Sequence, residues 1–500
     1  MSNRSYASLI IIAVLLPVIL YGVCSIGPTF DDYTSLQSTW FIQISDPGYM
    51  FPDAWRRPFD FLLGCLLGWF PSLFPVLNHV LIILGHTLSA LLVFSICKRL
   101  SFSSLATNIA TLFFFFSPAT LGATLACDGF NQTYAQLWGL LALWFYLVRV
   151  STCQSATKNK TWLWLLFVVL AVLSKENGLA WAVVPPIIAY AFQLINRRLL
   201  FRHIGYGLLV AITYFLIYGI IYVTGITGIE YDEQYTDATL MSHVKDFLQL
   251  MAYTWVPADY MSIVYPPTRN LLIAIITLLL ALPFLLLLVS RWKLLKTRQL
   301  LLLLLCFLIL VSPHLLTVVS IMHNYAALSM AALIVAFILT SISTSNRIFT
   351  SDLSHHSHRV SVGLPIVTFI LFLSAAIFTD IHHYQAAHQS GLLSKQLAMQ
   401  AISQAERPLE RALCINIDDP QEPRYSNFCV RPVDAFAWGL SVRHYSHYTW
   451  KTAISEITLP QYNEQQVKAL ADSALQAGNE AVWVVGHDKK KVTVITDGQS

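Results

Sequence analysis

Phe30-Asp31-Asp32-Tyr33, Arg56-Arg57-Pro58-Phe59 and Ser174-Lys175-Glu176-Asn177 are charged interruptions in a mostly apolar chain. Ionised groups at a membrane boundary are costly unless they line a wet cavity or bind something. Acids and bases in combination suit a reaction on a phosphorylated lipid. A carboxylate at Asp31 or Asp32 can take the proton of an attacking hydroxyl. The same pair suits a divalent cation, which prefers oxygen ligands, and the plain alternative is a helix cap. Arg56 and Arg57 carry guanidinium forks that grip phosphate oxygens in pairs, whether that phosphate belongs to a substrate or to bulk lipid. Lys175 reads as a phosphate ligand oriented by Glu176, or as its simple ion-pair partner.

Further residues could line the same cavity. His79 and His86 stand seven apart, hence on one helix face, with interhelical hydrogen bonding as the plainer role. Asp128 precedes Asn131 and Tyr134 at the start of the next apolar stretch and could serve as a second acid. Pro313-His314 and His323-Asn324-Tyr325 flank one turn between two apolar segments. His79, Asp128, Glu176, His323 and Tyr325 are therefore the candidate cavity residues.

The elements that must hold these residues are membrane helices. Mean hydropathy is +0.59 and only 12% of residues are charged. Long apolar runs recur, which excludes an ordinary soluble globule. The net charge of +4 is small and points to no nucleic-acid partner. The fold class expected is an all-α polytopic membrane protein of about eleven transmembrane helices, with a small C-terminal α/β extracytoplasmic domain. The spans expected are 7–26, 76–97, 104–123, 132–150, 162–174, 178–195, 203–224, 271–290, 299–319, 322–342 and 361–380. Residues 58–70 read as a helix lying at the membrane surface.

Basic residues set the orientation. With the N-terminus in the cytoplasm, the inner side receives Arg4, Lys98, Arg99, Arg149, Lys158, Lys160, Arg197, Arg198, Arg202, Arg291, Lys293, Lys296, Arg298, Arg347 and Arg359. The outer side, before the tail, receives only Arg56, Arg57, Lys175, Lys245 and Arg269. The three opening clusters and the tail then face outward. The first helix reads as an uncleaved anchor.

The chain divides into a membrane domain, 1–380, and a tail, 381–500. The membrane domain carries outer loops at 27–57 and 225–270. In the tail, strand-like runs at 412–417, 481–485 and 491–495 surround a helix at 464–477 that Gly478 should end. Cys414 and Cys429 are the tail's two cysteines, and in an oxidising compartment they could form a disulfide.

An acidic pair after the first helix, an Arg-Pro element, Asn78-His79 leading to His86, then a Ser174-Lys175-Glu176-Asn177 turn: this order resembles the GT-C superfamily of membrane glycosyltransferases. It is similar to protein O-mannosyltransferases and, more loosely, to lipid A aminoarabinose transferases, over residues 25–200. The resemblance implies an outward-facing enzyme using a polyprenyl- or dolichyl-phosphate-linked sugar. It implies Asp31 or Asp32 as catalytic base and Arg57 and Lys175, with neighbouring Arg56, at the donor phosphate. Two departures bear on the acceptor: no tetratricopeptide repeats follow, and the family's Glu-Arg-x-x-Tyr segment is matched only by His323-Asn324-Tyr325. The expected activity is transfer of a sugar to an envelope glycan or lipid acceptor at a bacterial inner membrane, with inversion. The N-terminus would be cytoplasmic and the C-terminus periplasmic. The alternative is a transporter or flippase for lipid-linked glycans.

Overall fold

The computed structural model describes residues 6–26, 58, 76–126, 129–152, 162–223, 239–257, 297–316, 322–348, 355–403, 409–417, 453–486 and 492–496. Asp31, Asp32, Arg56, Arg57, Asp128, Cys429 and the expected span 271–290 lie outside them.

The described membrane helices are α1 (Ala7–Cys24), α2 (Val76–Arg99), α3 (Ser104–Phe115), α4 (Leu121–Leu125), α5 (Phe130–Thr152), α6 (Leu163–Ser174), α7 (Val184–Ala191), α8 (Arg197–Val223), α9 (Leu240–Trp255), α10 (Thr297–Val311), α11 (Tyr325–Ile348) and α12 (His355–Ser403). Among the described residues, six helices are long and apolar enough to cross a membrane, or seven if α3 and the bent segment Pro118–Leu125 count as one span. The expected count of about eleven is not confirmed among the described residues, which leave out the expected span 271–290. Part of the shortfall has clear physical causes. The run 162–174 forms a helix of only 12 residues. The run 178–195 is not one helix: a 3-10 segment, Glu176–Ala182, precedes α7, whose first turn holds Pro185 and Pro186. Proline has no N–H to offer a preceding turn, so consecutive prolines mark a fresh helix start.

The 46° bend between α3 and Pro118–Leu125 has the same origin. Phe116 closes α3, Ser117 accepts from the Ala119 N–H, and Pro118 begins a 3-10 turn. At the start of α3, Ser103 adopts extended backbone and its side chain accepts from the Ala106 N–H, a regular N-cap.

Without water to expel, membrane helices associate through close packing and hydrogen bonds. Gly139 shows the first: a Cβ there would sit 2.2 Å from the indole of Trp181, which is 1% exposed. The absent side chain lets the 3-10 segment nest against α5. Helix α9, inside the expected loop 225–270, docks through Leu250, Tyr253 and Thr254, spaced for one face. The Tyr253 hydroxyl donates to the Pro118 carbonyl at 2.6 Å, and Asn324 Nδ2 donates to the Leu250 carbonyl at 2.8 Å. The apolar patch Phe247 to Trp255 is thus a packing face.

Helix α12 runs 49 residues, roughly 74 Å at 1.5 Å per residue. That is well beyond a hydrocarbon core of about 30 Å. Its apolar part is Ile366–Gln389. The helix does not stop at Asp380 but continues to the tail, where Gln400 Nε2 donates to the Val492 carbonyl at 3.1 Å.

The tail holds β1 (Arg411–Ile417), β2 (Ala453–Leu459), α13 (Glu464–Gln476), β3 (Ala481–Val485) and β4 (Val492–Thr496). The sheet order is β2-β1-β3-β4; β1 is parallel to both neighbours and β4 antiparallel to β3. Central β1 and β3 are buried on both faces and read as continuous apolar runs. Gly478 does end α13. Its φ is +92°, its N–H donates to the Leu475 carbonyl, and the Asn479 N–H donates to the Ala474 carbonyl. This is the paired closure that a left-handed residue after a helix permits.

Cys414 is a free thiol in central β1, buried in the core with Leu409 and Trp483; its expected disulfide partner, Cys429, lies outside the described residues. Burial, with Glu456 opposite on β2, pushes the thiol well above its ordinary range.

Candidate functional site

One end of the bundle collects the polar residues of the site. The first turns of α5 lie there, as do the end of α6, the 3-10 segment Glu176–Ala182, the turn Ser312–Leu316 after α10, and the start of α11. Helix α6 ends because Lys175 turns to extended backbone at φ −158° and ψ 145°. The break sets Lys175 and Glu176, both half-buried, beside α5. Lys175 Nζ donates to Asn131 Oδ1 at 3.4 Å. Both the Lys175 and Glu176 charges lie near the His314 ring.

Asn177 is the hub. Its Nδ2 donates to Gln132 Oε1 at 2.8 Å and faces His314 Nε2 at 3.2 Å. The His314 ring stacks on His323 with centroids 4.4 Å apart. Two residues later, Tyr325 places its hydroxyl 2.8 Å from His86 Nδ1, while His86 Nε2 pairs with the Phe115 carbonyl at 3.1 Å. Lys175, Glu176, His323 and Tyr325 thus fall within one connected polar region. His86 plays the interhelical hydrogen-bonding role that its apolar helix suggests. His79 is buried and hydrogen-bonds the backbone at Ile26, the last described residue before the segment with Asp31 and Asp32.

Several amide atoms here are unusual. Buried polar atoms normally find partners, and leaving one without costs about 1–3 kcal/mol. Yet Asn177 Oδ1, Gln132 Nε2 and both amide atoms of Gln136 are buried with no hydrogen-bond partner among the described residues. Gln132 and Gln136 are four apart on α5 and share a face. Sequence reading reached His314 but passed over Gln132 and Gln136. The signal was available: two glutamines one turn apart are out of character in an apolar helix.

The structure says nothing of Asp31, Asp32, Arg56, Arg57 or Asp128, including the expected cation at the aspartate pair, because those residues lie outside the described set. Among the described residues, no cluster of three or more His, Cys, Asp or Glu could hold a metal.

The opposite end is basic. Arg99 Nη2 donates to the Val148 carbonyl and to Ser151 Oγ. Lys98 Nζ donates to Ser104 Oγ at 3.0 Å, and Arg298 lies over the Tyr190 ring at 4.5 Å. The tail sits at the Lys175 end. His388 on α12 pairs with the Ser25 carbonyl, just after α1, at 3.0 Å, and α12 continues from there to the sheet.

No family model matches this chain, and no curated protein matches it. Two solved structures do. One is the archaeal oligosaccharyltransferase AglB from Archaeoglobus fulgidus, in complex with an inhibitory peptide and a dolichol-phosphate. It is 15% identical, with a TM-score of 0.46, covering 97% of this chain and 70% of that one. The other is the Archaeoglobus fulgidus oligosaccharyltransferase in the apo form, 15% identical, with a TM-score of 0.44, covering 96% of this chain and 69% of that one.

Proposed function

We propose that the chain is a membrane glycosyltransferase that moves a sugar from a polyprenyl-phosphate carrier to an envelope glycan or lipid acceptor. The observation that carries this reading is the buried amide group around Lys175. Sugars are recognised through hydroxyls that both donate and accept hydrogen bonds. Gln132, Gln136 and Asn177 hold unused donors and acceptors beside a cation that suits a phosphate.

In this reading Lys175, with Arg56 and Arg57, holds the donor phosphate. A cation placed where the phosphate leaves stabilises the charge that develops in the transition state. Asp31 or Asp32 takes the proton of the acceptor hydroxyl as it attacks the anomeric carbon. The carbon–phosphate oxygen bond breaks from the opposite face, so the anomeric centre inverts. The basic end faces the cytoplasm by the positive-inside rule, and the Lys175 end and the tail, 381–500, face the periplasm. A donor carried by lipid fits that side, where nucleotide sugars are absent.

The test is turnover by purified full-length chain in proteoliposomes supplied with a polyprenyl-phosphate sugar. Release of polyprenyl phosphate and appearance of glycosylated acceptor are expected. Movement of intact lipid-linked sugar between leaflets, with no cleavage, would instead establish the flippase alternative.

A further inference from the structure

A cavity of about 320 Å³ lies between α1, α2, the α3–α4 bend and α12. Its walls are mostly aliphatic and aromatic, but Asp380 on α12 lines it together with Thr120, Thr124, Tyr384 and Gln385, and it reaches His86, the partner of Tyr325. Asp380 Oδ1 is buried and has no hydrogen-bond partner among the described residues. The residue stands eight positions before His388, which pairs with Ser25 at the bundle end. It therefore lies roughly 12 Å deeper along the helix. An acid at that depth facing a cavity marks a functional site by default.

The mouth opens sideways. Val18 on α1 and Ile381 on α12 both line the cavity, yet are 66% and 52% exposed on the bundle's outer surface. Gly22 also lines the cavity, and outside its own helix backbone no atom of the described residues comes within 4 Å of where a Cβ would stand. The walls are such as an aliphatic chain would fill. A phosphate next to the Asp380 carboxyl would find no Lys or Arg among the described lining residues, whereas a hydroxyl can donate to Oδ1.

We propose that this cavity binds a neutral lipid with a free hydroxyl, which enters between α1 and α12 and donates its head-group hydrogen bond to Asp380. The proposal deepens the transfer reading and rests on it in one respect: the bound lipid would be the acceptor, separate from the donor phosphate site at Lys175.

The experiment uses full-length protein in nanodiscs and a diacylglycerol bearing a diazirine in its acyl chain. After illumination, adducts should map to peptides covering Leu15–Gly22 and Ile377–Gln385. Unlabelled dioleoylglycerol at ten times its dissociation constant should cut the adducts about tenfold by mass action, and undecaprenyl phosphate at equal concentration should not. Gly22→Leu, built into open space, and Asp380→Leu should each bring labelling down to the competed level. Adducts scattered over all helices, or equal competition by undecaprenyl phosphate, would overturn the proposal. The wild-type competition stands alone should either variant fold poorly. Cross-linking needs no turnover, so correct adducts without sugar transfer would sink the transferase reading while leaving the lipid site intact.

Discussion

At one end of the bundle, Lys98, Arg99, Arg149 and Arg298 each rest on a ring, a hydroxyl or a carbonyl close by. At the other end, Lys175 is half-buried next to Asn131, and the amides around it keep donors and acceptors in reserve. The first arrangement is what anchoring requires: long stems against apolar surface and charged heads at the rim. The second is a poor way to stabilise a bundle, because unused buried amides are a standing cost. Polar groups kept at such cost are best explained by something they bind. The contrast also separates two uses of a basic residue that look alike in sequence.

The sharpest way to break this comparison lies at the acid pair. Asp31→Asn and Asp32→Asn are expected to differ, with the variant at the true base losing ~10²–10⁴ in rate while its helical circular dichroism is unchanged. Full activity in both would move the base elsewhere, with Asp128 or Glu176 the next candidate.

Next in size is Asn177→Ala. It strips the partner from Gln132 and from one face of His314, which costs about 1–3 kcal/mol. Thermal unfolding in detergent should drop accordingly, and sugar transfer should fall with it. An unchanged midpoint would mean that Asn177 is not the hub.

Tyr325→Phe removes only the hydroxyl facing His86. Interhelical hydrogen bonds in membranes average about 0.6 kcal/mol, so a small loss of stability is expected. A large loss would show the His86–Tyr325 pair holding α2 and α11 together.

The α/β tail offers a contrast by pH. A thiol raised by burial favours the folded state while protonated, so its contribution is complete below the unfolded thiol range, near 8.5, and declines above it. Cys414 should therefore resist alkylation at neutral pH and react quickly once the protein is unfolded in urea. Rapid alkylation of the native chain would contradict the buried strand.

Much of this was legible in the chain, for identifiable reasons. Long apolar runs between basic turns gave α1 and α2 to within two residues and α8 and α11 to within six, because a helix in lipid must satisfy its own backbone. The break at Lys175 was legible because a charge cluster ended an apolar run. Strand β2 was not: Ser455 and Glu456 interrupt its apolar residues, as an edge strand with a half-solvated surface allows. The Asn177–Gln132 pair was also hidden. It joins residues 45 apart, and no periodicity encodes which side chains meet across helices.

The central claim is that sugar transfer belongs to the Lys175 end. Turnover of a polyprenyl-phosphate sugar by purified chain, measured side by side for Lys175→Ala and Arg99→Ala, tests it most directly. Lys175→Ala should lose most of its activity. Arg99→Ala, which removes an exposed contact worth about 1 kcal/mol or less, should keep nearly all of it. Equal activities in the two variants would contradict the account.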